Sequence, residues 1–253
     1  MTDEERVELA ARLAREASAV ILAARRAGIT VAAKGDLSPV TEADQAAERL
    51  IVSALRTEDP LVAVIAEEEV SAGRIGPRGD AYWLIDPLDG TREFAQGGDE
   101  FAICLGFVRA GRPVLGAVAL PASGELFCGR VGHGAWKEDG EGRRPIATRA
   151  PPEEGLTVFA SRHHAEDPRL ARFVAGLPVA RLIHAGSALK FCRVAEGSAD
   201  LYPRFGRTME WDTAGPQAIV EAAGGSVTTL DGAPLAYGKR GFVNPDFVCR
   251  GRP

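Results

Sequence analysis

A chain of 253 residues is long enough for one large domain or two small ones with a real core. Its 45% hydrophobic and 26% charged content is that of a soluble globular protein. A net charge of −5 gives no electrostatic case for a nucleic-acid polymer or an anionic membrane as partner, although a bound cation would still admit a small anion.

The first predicted element is a long amphipathic helix. Thr2 and Glu5 have the capping-box spacing, Leu9, Leu13, Ala17, Ile21 and Ala24 follow at helical intervals, and Gly28 suits the C-terminal stop. The acidic start Asp3-Glu4-Glu5 is unlike a signal peptide, and the apolar run 17–24 is too short to span a bilayer, so no integral membrane association is expected. After the polar loop Lys34-Gly35-Asp36-Leu37-Ser38-Pro39, Thr41-x-x-Asp44 opens a second helix with Ala47, Leu50, Ile51, Ala54 and Leu55 as its apolar stripe. Asp44 favours a helix N-terminus electrostatically, and a functional role is equally open to it.

Residues 61–66 read as a buried strand that runs into Glu67-Glu68-Glu69, for which a solvated acidic loop is the ordinary reading. The next strand ends in the stretch that organises the chain, Asp86-Pro87-Leu88-Asp89-Gly90-Thr91. Two carboxylates flank a backbone carbonyl in a proline-stiffened turn, a hard-oxygen set of the kind Mg²⁺ prefers. An ordinary Asp-Pro/Asp-Gly turn is the competing explanation. Glu67 at a neighbouring strand end would bring a third carboxylate, and a cation would remove the repulsion among the three.

Strands are expected at 101–108, 114–120 and 125–129, joined as antiparallel hairpins by short turns. His133 lies in a glycine-rich turn; it could be a ligand or base, but with no partner in the sequence it reads as surface or structural. Residues 137–155 are polar and rich in Pro and Gly, which suggests a boundary between an N-terminal half, 1–150, and a C-terminal half, 151–253. The second half alternates: strand 157–160, helix 167–177, strand 181–184, helix 187–196, strand 199–205, helix 212–223, strand 227–230. Such alternation implies an α/β fold with helices on the faces of a sheet. Gly186-Ser187 at a helix start suits an anion, and Lys190 and Arg204 are cations close by in sequence. Asp212 reads as a helix N-cap, with Pro216 in the first turn. The four cysteines, Cys104, Cys128, Cys192 and Cys249, form no CxxC pair, which argues for reduced thiols and a cytoplasmic location.

Taken together, Glu67-Glu68, the Asp86–Thr91 block and Trp211-Asp212-Thr213-Ala214 resemble the metal-dependent, lithium-sensitive phosphatase superfamily of inositol monophosphatase, fructose-1,6-bisphosphatase and the 3′(2′),5′-bisphosphate nucleotidases. Thr91-Arg92-Glu93-Phe94, Ser161-Arg162-His163-His164 and the run from Gly186 to Gly206 are most similar to the bacterial nucleotidases. The resemblance implies a layered α-β-α-β-α sandwich with a metal site between two halves. It implies that Glu67, Asp86, Asp89, Asp212 and the Leu88 carbonyl bind two or three Mg²⁺, and that Asp44, Glu67 and Thr91 activate the attacking water. It further implies that Gly90 and Thr91 hold the phosphate beside the metal ligands, that Arg92 belongs to the same substrate loop, and that His164, Ser187, Lys190 and Arg204 contact a nucleotide. The implied reaction is removal of the 3′-phosphate from adenosine 3′,5′-bisphosphate, with 3′-phosphoadenylyl sulfate as a second candidate substrate. An inositol, histidinol or sugar monophosphatase is the alternative, followed by a non-catalytic metal- or nucleotide-binding regulator. A homodimer is compatible with the resemblance. One departure is Ala188, where the superfamily pattern would place a second serine.

Overall fold

The computed structural model describes residues 1–28, 31–33 and 39–252, with side chains except at 31–33, 39–40 and 164. The predicted loop over 34–38 lies outside the described residues.

Helix α1 (Asp3–Ala27) starts as its capping box requires: Glu5 N donates to Thr2 Oγ1 at 3.2 Å, and Thr2 N donates to Glu5 Oε2 at 2.7 Å. It buries Leu9, Leu13, Ala17 and Ile21, and Gly28 follows its last turn in a left-handed conformation. Strands β1 (Val31–Ala33) and β2 (Pro39–Thr41) pair antiparallel and lead into α2 (Glu42–Glu58). Both long helices cover one face of a seven-stranded sheet. Its strands are β3 (Ala63–Ala66), β4 (Ala81–Asp89), β5 (Ala102–Arg109), β6 (Arg112–Leu120), β7 (Glu125–Arg130), β8 (Gly134–Asp139) and β9 (Gly142–Ile146), in chain order. Only β3 and β4 run parallel; the rest are antiparallel neighbours, as the short turns predict.

The sheet corrects three expectations. Leu61 is 98% exposed and the strand begins at Ala63. Residues 67–69, expected as a solvated loop, open the short helix α3 (Glu67–Ser71). The polar segment expected from 137 completes β8 and forms β9, because partners neutralise its charges. Lys137, 8% exposed, pairs with Glu125 and with Glu196 at 3.0 Å, so a polar strand can be covered.

The second sheet has five strands in the order β11 (Val179–Ala185), β10 (Leu156–Ser161), β12 (Leu201–Arg204), β14 (Phe247–Arg250), β13 (Ser226–Thr229). The first three are mutually parallel, and β14 is antiparallel to both its neighbours. Helices α6 (Leu189–Ala195) and α7 (Glu210–Ala222) fill the space between the two sheets, in a core that includes Phe127, Phe191, Val194, Ile219 and Phe247. Helix α5 (Pro168–Val174) covers the outer face of the second sheet through Leu170, Phe173 and Val174. The layers are therefore helices, sheet, helices, sheet, helix, the predicted α-β-α-β-α sandwich.

One contact sets the depth of the middle layer. A Cβ on Gly106 would lie 2.4 Å from Gly215 N, one on Gly116 would lie 2.4 Å from Gly215 O, and one on Gly215 would lie 2.4 Å from Leu105 O. The backbone of α7 thus rests directly on the backbones of β5 and β6, with no side chain between. The helix starts at Glu210, so Asp212 is its third residue and not the N-cap, and Pro216 is in its interior and not in its first turn. Asp212 still does a capping job, because its Oδ2 accepts from Met209 N at 2.9 Å, the back-reach of an acid at the third helical position.

Candidate active site

Parallel pairing of β3 and β4 is the first step in building the site. Ala66 is opposite Ile85, so Glu67 and Asp86 leave neighbouring strand ends side by side. The β4–β5 register then slips between Asp86 and Asp89. Within that irregularity Leu88 N donates to Asp86 Oδ1 at 2.9 Å, which folds the chain back and turns the Leu88 carbonyl toward Thr91. Gly90 follows with φ +94°, where a Cβ would meet Glu100 O at 2.7 Å; only glycine fits this step. The short helix α4 (Thr91–Ala95) begins at once.

Thr91 Oγ1 lies 2.9 Å from Leu88 O and 3.0 Å from Asp44 Oδ1. Asp44 is 1% exposed and is held on its other oxygen by Thr41 N at 2.8 Å and by the Thr41 hydroxyl. Burial pushes the Asp44 carboxyl above its ordinary range, against the hydrogen bonds from Thr41 and Thr91. The N-terminal aspartate of α2 therefore both caps its helix and faces the hydroxyl that follows the acidic turn.

Asp86, Asp89 and Asp212 meet at the junction of β4 and α7. Burial is the largest cause of a raised pKa at all three. Asp86 is pushed well up, first by burial and then by Glu67, Asp89 and Asp212, and it shares a side-chain hydrogen bond with Glu67. Asp212 is raised by burial, Asp89 and Glu67. Asp89 reaches only about 6, because the Lys190 ammonium and a hydrogen bond from the Ala188 amide offset its burial. The alanine at 188 thus supplies the site through its backbone. Among the described residues no three acidic, histidine or cysteine side chains already form a closed ligand cage. What they form is a set of hard oxygen donors whose mutual repulsion Lys190 and Arg204 offset only in part, and a divalent cation would relieve the rest.

The cluster opens into a cavity of about 540 Å³ lined by Glu67, Asp89, Gly90, Thr91, Arg92, Ser187, Lys190, Arg204 and Asp212. Every predicted site residue whose side chain is described, apart from Asp44, Asp86 and Leu88 just behind the wall, is on this list. The cations differ in what they offer. Arg92 is exposed at the surface. Arg204 donates from Nη2 to Arg207 O at 3.2 Å, and its buried Nε has no hydrogen-bond partner. Lys190, 3% exposed, donates to Ala185 O at 3.1 Å and Ser187 O at 2.5 Å. Burial lowers its pKa to about 8, partly countered by Asp89. Its ammonium fastens the turn on which Ser187 sits at φ +47°, a left-handed conformation uncommon outside glycine.

The His164 side chain lies outside the described residues. His163, which sequence reasoning passed over, lines the cavity with Nε2 2.6 Å from Glu93 Oε1. Glu100, also missed, accepts from Gly186 N at 2.6 Å and from Arg162 Nη2. Glu93 and Glu100 thereby tie the 90–100 side of the cavity to the 161–187 side. No local sequence signal marks these pairs, whose members are 62 to 86 residues apart.

The profile of the inositol monophosphatase family matches residues 2–248. The chain is 42% identical over 220 residues to the 3′(2′),5′-bisphosphate nucleotidase CysQ of Escherichia coli K12, covering 86% of this chain and 87% of that protein. Among solved structures, CysQ from Bacteroides thetaiotaomicron, a bacterial member of the inositol monophosphatase family, superposes with a TM-score of 0.83 at 32% identity, covering 98% of both chains. A Thermotoga maritima inositol monophosphatase gives 0.80 at 28% identity over 97% of this chain and 92% of that one. With its layered fold and its acidic strand-end site, the chain belongs to the inositol monophosphatase family.

Proposed function

We propose that the protein is a Mg²⁺-dependent phosphomonoesterase that removes the 3′-phosphate from adenosine 3′,5′-bisphosphate, giving AMP and phosphate. The observation that carries this reading is the meeting of Asp86, Asp89 and Asp212, whose charges repel across a buried junction, with the Thr91–Asp44 pair at one cavity. The nucleotide assignment is supported by the likeness to the CysQ nucleotidases.

Glu67, Asp86, Asp89, Asp212 and the Leu88 carbonyl would hold the cation. The donors are all oxygens, the set that favours Mg²⁺ over softer metals. When bound, the cation lowers the pKa of a water and neutralises charge on the phosphate and the leaving oxygen. The protein's own contribution is orientation and proton transfer. Thr91 Oγ1 gives its proton to Asp44 Oδ1 and takes one from the attacking water. The water oxygen bonds to phosphorus as the P–O3′ bond breaks, and the electron pair leaves on O3′, which takes a proton from solvent while Asp44 releases its own to solvent, restoring the starting state. The raised pKa of Asp44 suits it to hold that proton. The α4 backbone amides following Gly90 would hold the transferring phosphate, and Arg204, which lines the cavity, suits the second phosphate. The same 3′-phosphate makes 3′-phosphoadenylyl sulfate a candidate substrate.

Among the described residues no helix is long and apolar enough to cross a membrane. All four cysteines are free and buried, which fits the proposed cytoplasmic location. Asp89→Asn and Asp212→Asn test the reading. Each should lower kcat by about a thousandfold while leaving the circular dichroism spectrum unchanged. Full turnover in either variant would sink the mechanism.

A further inference from the structure

We propose that Glu48 is a positioning residue for Glu67, holding the first turn of α3 so that the Glu67 carboxylate faces the metal cluster. This inference rests on the reading of Glu67 as a metal ligand.

Helix α3 is five residues long and contains no fully buried residue, so little apolar packing fixes it; Val70 is only partly covered. Its cap residue, Ala66, has no side chain able to satisfy the first backbone N–H groups. Glu48 meets that need from another element. It lies in α2, one turn beyond Asp44 on the same helix face, and is 4% exposed. Its Oε2 accepts from Glu68 N at 2.7 Å, directly after Glu67. A second tie follows from the same helix: Arg56 makes a bidentate pair with Glu69, at 3.0 and 2.7 Å. The Arg56–Glu69 pair lies farther out, with the Arg56 side chain 54% exposed, where solvent and salt screen it. Glu48 is the covered contact.

Burying a carboxylate is costly, and one hydrogen bond to Glu68 N offsets only part of that cost. The geometry gives the acid a purpose. Helix α2 thereby holds both sides of the candidate site: Asp44 orients Thr91, and Glu48 orients Glu67. Shortening or removing the Glu48 side chain frees the α3 N-terminus to move, and the cost falls on cation affinity.

The test is isothermal titration of Mg²⁺ into the metal-stripped full chain, alongside Mg²⁺-dependent steady-state kinetics and thermal melting. Glu48→Asp keeps the carboxyl group and withdraws it by one methylene; Glu48→Gln keeps the length and an acceptor oxygen. Glu48→Asp should weaken Mg²⁺ binding by about tenfold or more, and Glu48→Gln by no more than about threefold. In both variants kcat at saturating Mg²⁺ should stay near that of the wild type, since the acid touches no reacting atom. Wild-type affinity in Glu48→Asp overturns the proposal, and so does an equal loss in Glu48→Gln, which would make charge and not reach the cause. A lowered melting temperature with unchanged Mg²⁺ affinity also overturns it, by making Glu48 merely structural. A wild-type chain that binds no Mg²⁺ would overturn the reading of Glu67 itself.

Discussion

At Thr91 a single hydroxyl hydrogen has two acceptors, Asp44 Oδ1 at 3.0 Å and Leu88 O at 2.9 Å. Moving it between them is the smallest rearrangement the proposed reaction needs. Thr91→Ala and Asp44→Asn remove the two ends of this relay, and each should lower kcat by about a hundredfold or more, with smaller effects on KM. Stopped or steady-state phosphate release checks this, and unchanged kcat in both variants would remove the relay from the mechanism. Much of this scale was legible in the sequence. Asp86 and Asp89 announce themselves because an apolar strand ends in paired acids around a proline, and Glu67 because a second strand ends the same way. Asp44 was ambiguous for a physical reason: capping and catalysis ask for the same carboxylate in the same place, and here one residue caps its helix and accepts from Thr91 Oγ1. The Glu93–His163 pair was invisible, because 70 residues separate its members and neither has a local pattern. Lys190 was visible as a cation, but its chain position does not tell that the ammonium turns inward to Ala185 O and Ser187 O.

Among elements, α7 matters most, because it carries Asp212 to the end of β4. Its depth is fixed by three glycines in backbone contact, Gly106, Gly116 and Gly215. Gly215→Ala should therefore push the helix off the sheet. The methyl group would have to displace a backbone oxygen 2.4 Å away, and no side-chain rotation relieves that. We expect a loss of stability of about 2–3 kcal/mol, typical of overpacking in a tight core, read as the midpoint of urea unfolding. Activity should fall further than Thr91→Ala predicts from chemistry alone, since Asp212 moves with the helix. A Gly215→Ala variant with wild-type stability would show that the contact is slack. The sequence revealed this helix but placed its start two residues late and its proline in the wrong turn. An acid at the third helical position reaches back to the cap amide, so Asp-x-x-x-Pro resembles a helix start from outside. The polar strands β8 and β9 were missed because their charges are matched by distant partners, Lys137 with Glu125 and Glu196, which no local pattern displays.

For the whole molecule, two charge systems make opposite predictions. In the Lys137–Arg193 network, burial alone would raise the Glu125 carboxyl, but hydrogen bonds from Arg193, Lys137 and Ser123 outweigh it and hold the group at about 2. A depressed carboxylate contributes stability that is complete above its ordinary value of 4.5 and is lost as pH falls toward 2. Glu125→Gln should accordingly lower the melting temperature by about 5 °C at pH 7, with the gap to wild type closing toward pH 3. A gap independent of pH would remove the ionised pairs as its cause. The Asp86–Asp89–Asp212 cluster works the other way, since the fold itself leaves it repulsive. Mg²⁺ at a hundred times its Kd should stabilise the chain by about 2.7 kcal/mol, a rise in melting temperature of about 5–10 °C that chelation reverses. The central claim, a metal-dependent phosphatase selective for a bisphosphorylated nucleotide, is tested most directly by one comparison. That measurement is kcat/KM for phosphate release from adenosine 3′,5′-bisphosphate against inositol 1-phosphate, at saturating Mg²⁺. The second phosphate adds about two charge-assisted hydrogen bonds, so the nucleotide should be preferred by about a hundredfold or more. Equal values, or a preference for inositol 1-phosphate, would contradict the account.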